Sequence, residues 1–137
     1  MIETYLAYLQ EIHSMTLEDF GNKQKVRRGN KLATENRRIA ADIEKKHPEL
    51  KEAFAQLLSH DDWQVRCQVA HHMLEVMNYP AADRKKAFLE ILSVIQKDVP
   101  IHSLGNKMWL DQWYEKHPED KLLLNASFSY PSQPFGG

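Results

Sequence analysis

Leu57-Leu58-Ser59-His60-Asp61-Asp62-Trp63-Gln64-Val65-Arg66-Cys67-Gln68-Val69-Ala70-His71-His72-Met73-Leu74 is the stretch that decides the fold. Its centre, Ser59-His60-Asp61-Asp62, is a short polar turn whose side-chain oxygens suit the N-cap of a following helix. Beyond the turn, Val65, Val69, Met73 and Val76 recur at helical spacing with Ala70, Leu74 and Met77 beside them. A well-buried helix is therefore predicted from about Trp63 to Met77. Before the turn, Leu50, Phe54, Leu57 and Leu58 make one apolar stripe on a helix opened by Pro48. A proline at the first helical position loses an N–H that had no partner there. The stretch reads as two helices joined by a tight turn.

Working outward, the same period dominates. A long polar helix is predicted from about Lys23 to Lys46, with a thin stripe of Val26, Leu32, Ala33, Ile39, Ala40 and Ile43. Gly29-Asn30 interrupts that stripe, and a kink or break is expected there. His47-Pro48 ends it, because a residue preceding proline is pushed out of the α region. Toward the N-terminus, Tyr5, Leu6, Leu9 and Ile12 mark a helix from about Ile2 to Ser14, with Gly21 as a stop and Asn22 as an N-cap. Toward the C-terminus, helices are expected over about Ala82 to Lys97 and His102 to Lys116, separated by a stop at Val99-Pro100. Residues 1–117 are thus read as a single all-α domain of about six helices. Residues 118–137, with a short Leu122-Leu123-Leu124 run and a Ser-, Pro- and Gly-rich end, are read as an irregular, mobile tail.

The leucine pair, the aspartate at the turn and Val65-Arg66 opening the next helix resemble a HEAT repeat. That resemblance implies a short α-α superhelix and structural work for Asp61 and Arg66 at the turn. A second, degraded unit is offset by about 34 residues, setting Leu57-Leu58 against Ile91-Leu92. It lacks Val-Arg and reads Ser103-Leu104-Gly105-Asn106-Lys107-Met108-Trp109-Leu110-Asp111-Gln112-Trp113, as a terminal cap would. From about residue 16 to 116 the chain also resembles a bacterial family of small HEAT-like proteins. This resemblance implies the fold and no particular activity.

Bulk composition narrows the classes of function. Hydrophobic residues at 42% and charged residues at 27% belong to a globular chain. No apolar run approaches the roughly 18 residues that span a bilayer, and Met1-Ile2-Glu3-Thr4 lacks the pattern of a signal peptide. One cysteine, Cys67, supports neither an internal disulfide nor a metal-binding cysteine pattern. A cytoplasmic setting is expected. Charge is uneven: seven cations against Glu35 alone make the segment from Asn22 to Arg38 net +6. The rest of a chain whose total is −1 is then −7.

Candidate residues follow from these patterns. Lys23, Arg27, Arg28, Lys31 and Arg38 fall near a common helix face, able to meet phosphates or an acidic protein. Trp63, beside two aspartates, is expected to be a surface anchor, and Trp113 is a possible stacking platform while Trp109 belongs to the core. His71 and Glu75 share a face at i and i+4, but a single helix offers only that pair, so no metal site is expected. Cys67 lacks an adjacent base and reads as a small core residue. Phosphate loops, dinucleotide fingerprints and nucleophile elbows are absent from the sequence. The expectation is a non-catalytic module without cofactor that binds a protein, an adaptor or immunity-type protein whose unknown partner is expected to be acidic. Nucleic-acid binding through the basic helix is the alternative, and a metal-dependent enzyme comes third.

Overall fold

A computed structural model describes residues 1–16 and 18–129, with backbone alone for 125–129. Among the described residues the chain is all-helical and has no strand. Seven helices follow in order: α1 (Ile2–His13), α2 (Lys23–Lys46), α3 (Lys51–Gln56), α4 (Trp63–Glu75), α5 (Ala81–Ile95), α6 (Pro100–Lys116) and α7 (Pro118–Ser129). Short 3-10 turns precede α2 and flank α3 on both sides.

The punctuation works locally. Asn22 Oδ1 accepts the backbone N–H groups of Gln24 and Lys25 at 3.0 and 3.1 Å and so starts α2. His47 leaves helical geometry before Pro48 and ends it. Asp62 Oδ1 takes the Gln64 N–H at 2.9 Å and starts α4. Arg66, one turn into α4, donates to the carbonyls of His60 at 2.7 Å and Asp61 at 3.0 Å, tying the helix to its own turn.

Two expectations need correction. The helix α2 runs unbroken through Gly29-Asn30. Gly29 packs closely under the Met15 side chain, whose end would have to shift slightly for a Cβ standing 3.1 Å away. Residues 118–129 are helical rather than irregular, since Pro118 opens the turn and Glu119 and Asp120 favour a helix N-terminus; residues 130–137 of that expected tail lie outside the described residues. By contacts the chain falls into two compact units, Met1–Tyr79 and Pro80 onward.

In the first unit α1 packs along α2, and α4 touches α1, α2 and α3. Its buried centre holds Tyr5, Leu9, Leu32, Ala40, Ile43, Phe54, Val69 and Met73, with Tyr5 and Phe54 edge-on at 5.0 Å. Leu57 and Leu58 are half-buried. In the second unit α5 packs on α6, and α7 touches both. Ala87, Phe88, Ile91, Val94, Leu110 and Leu124 are buried there.

Candidate functional site

The solvent face of α2 separates the seven cations of the basic segment. Leu32, Asn36, Ala40 and Ile43 are buried on one side of the helix. Lys23, Arg27 and Lys31 stand one turn apart on the other side, all exposed. Among the described residues no ion pair reaches these three. Arg28 is different: its Nε and Nη2 clasp the Glu11 carboxylate at 2.8 and 3.2 Å, joining α2 to α1. Arg38 pairs with Glu35 at 3.3 Å, and Lys25 with Asp19. Of the five cations expected to form one binding face, Arg28 is a structural tie and Lys23, Arg27 and Lys31 remain an open row.

The two tryptophans proposed as surface anchors are not free in that sense. Trp63 is half-buried at the start of α4. The Trp113 indole N–H donates to Asp120 Oδ2 at 2.9 Å, and its ring stacks on Trp109 at 5.0 Å and lies 4.2 Å from His117. Asp120 is buried and also accepts Arg84 Nη2 at 2.5 Å, so one carboxylate links α5, α6 and α7. These are duties of packing.

What the sequence reading missed is the opposite side of α6. Ile101, Leu104 and Met108 recur at spacings of three and four and are 80%, 60% and 54% exposed. Between them Gly105 has open space where a Cβ would stand. A signal was present: α6 carries apolar residues on two faces, more than packing against one neighbour buries.

A groove of about 420 Å³ runs between α2 and α4, lined by Ala33, Thr34, Arg37, Gln68, His71, His72 and Glu75. The metal-like pair of the sequence is found here joined to itself: His71 Nδ1 donates to Glu75 Oε2 at 3.2 Å. Arg37 Nη1 donates to Glu75 Oε1 at 2.7 Å. Burial pushes the Glu75 carboxyl up, but the bonds from His71 and Arg37 outweigh it and hold it down at about 2. Glu75 is thus ionised with both oxygens engaged.

His72, 8% exposed, borders the same groove. Its Nδ1 lies 2.6 Å from the Tyr5 hydroxyl, a buried contact between α4 and α1. Burial pushes the Tyr5 phenol up, so it keeps its proton. Burial also pushes the His72 imidazole down to about 4, so the ring is neutral near pH 7. The hydroxyl has no other acceptor among the described residues, so it donates to Nδ1 and the ring proton sits on Nε2. Cys67 is buried on the same helix.

Comparison of the chain with known protein families, with curated proteins and with solved structures finds no match.

Proposed function

We propose that this chain is a non-catalytic binding module for an acidic protein partner, built on a HEAT-like helix pair. One observation carries the reading: the exposed row Ile101, Leu104 and Met108 on α6. Singly exposed apolar residues are ordinary on a protein surface, but three in a continuous row on one helix face suit a protein interface. Phosphate backbones gain nothing from such a row, which favours a protein over a nucleic acid. The open cations Lys23, Arg27 and Lys31 on α2 supply the charge preference. A row of unpaired like charges raises the encounter rate with an acidic surface.

The two surfaces are testable separately, with affinity capture from the native host followed by binding kinetics on the captured partner. Leu104→Glu with Met108→Glu should abolish capture through faster dissociation. Reversing Lys23, Arg27 and Lys31 to Glu should slow association and flatten its dependence on salt, because rim charges act mainly on the encounter. Both variants should keep wild-type helical circular dichroism, since every altered residue is exposed. Equal recovery of the partner by wild type and both variants would sink the proposal. Binding of a mixed-sequence oligonucleotide that falls steeply with salt would transfer it to nucleic acid.

A further inference from the structure

The groove between α2 and α4 holds more polar order than packing of two helices requires. Three side chains define its chemistry. His72 is a buried, neutral imidazole whose tautomer is set by Tyr5, leaving Nε2–H as the ring's only uncommitted donor. Arg37 commits Nη1 to Glu75, and among the described residues its Nε and Nη2 have no partner. These two N–H groups lie along one edge of the guanidinium, the geometry that a carboxylate accepts in two parallel bonds. Glu75 already accepts from Arg37 on one oxygen and from His71 on the other.

We propose that this groove is a binding site for a small carboxylic acid, its carboxylate seated on the Nε–Nη2 edge of Arg37 and on His72 Nε2–H. Geometry selects the class. The Arg37 edge offers two parallel N–H groups and His72 a third, and the two coplanar oxygens of a carboxylate accept the pair from Arg37 while one of them also accepts from His72. A volume of about 420 Å³ accommodates a small metabolite. The Tyr5 bond is the positioning element: it prevents the tautomer that would present a lone pair to the carboxylate.

The test is a ¹H–¹⁵N titration of the whole chain, following the His72 imidazole and Arg37 side-chain signals. Glutarate is the probe, glutaramide its uncharged control, acetyl-diglycine a peptide-borne carboxylate, and orthophosphate the competing anion. Glutarate should shift the His72 Nε2 and Arg37 Nε resonances saturably, and glutaramide should not. Arg37→Met should weaken the titration by about tenfold or more, the scale of a lost charge-assisted pair. Arg37→Lys, which keeps the charge without the fork, should fall between. Arg37 is exposed, so both variants are expected to fold. Tyr5→Phe should weaken binding while the Arg37 variants' order is preserved. A response to acetyl-diglycine as strong as to glutarate assigns the same site to peptide carboxylates. Orthophosphate binding as tightly as glutarate, glutarate shifts unaltered by Arg37→Met, or no saturation with any probe would each overturn the proposal.

Discussion

The two units of this chain handle buried polarity in opposite ways. In Met1–Tyr79 polar side chains line an opening: buried Tyr5 orients buried His72, exposed Arg37 and half-buried His71 hold Glu75, and the groove beside them stays open. From Pro80 onward, among the described residues, one buried carboxylate, Asp120, binds Arg84 and Trp113, and three apolar side chains of α6 stand in solvent among its polar ones. Polar groups spent on each other stabilise, whereas polar groups left with an unused donor are available to a ligand. The surface of each unit follows from that division.

The contrast breaks most visibly at Asp120. Asp120→Ala leaves a largely buried guanidinium and an indole N–H without their acceptor, a loss on the order of 3–5 kcal/mol. Urea unfolding followed by tryptophan fluorescence should show it, with Asp120→Asn milder because an acceptor remains for Trp113. A midpoint within error of wild type would mean that the carboxylate does not hold α5, α6 and α7 together.

A smaller effect, confined to the first unit, comes from acid. His72 binds a proton near 6.5 when unfolded and only near about 4 when folded. Between those values the unfolded chain holds more protons, so stability falls as pH drops through this window and levels off below it. The loss is about 3 kcal/mol for His72. Glu75 then acts in the same direction at lower pH, its contribution being complete above 4.5 and lost toward about 2. Urea midpoints measured across this range should slope between pH 6.5 and 4 in wild type and flatten in His72→Gln. An identical slope in the variant would remove the Tyr5–His72 pair from the account.

The smallest expected effect sharpens the other side of the comparison. Leu104→Ser and Met108→Ser should each change stability by no more than about 0.5 kcal/mol, because both side chains already stand in solvent. A loss of several kcal/mol from either in thermal melts would show that the α6 row is packing surface rather than a docking face.

Much of the fold was legible because its determinants are local. The Asn22 cap, the His47-Pro48 stop and the Asp62 start of α4 each depend on residues within a few positions, which a sequence displays directly. The α7 helix escaped notice because Leu122-Leu123-Leu124 shows no clear period, and its anchor Asp120 meets a residue 36 positions away. The basic segment was visible as composition, but not its partition: Arg28 and Lys31 look alike until Glu11 is found against one of them.

The amino-acid order alone therefore determined that the chain is helical, where most helices begin and end, and that positive charge gathers on α2. Those properties follow from caps, prolines and the period of apolar residues, all of which act over a turn or two. Tertiary structure decided which cations remain open, that Trp113 is a structural donor, and that Ile101, Leu104 and Met108 face solvent. It also paired Tyr5 with His72 across 67 positions and so chose the donor that the groove presents. No local rule contains such a choice, because a side chain's protonation and exposure are set by whichever distant residues the packing brings beside it.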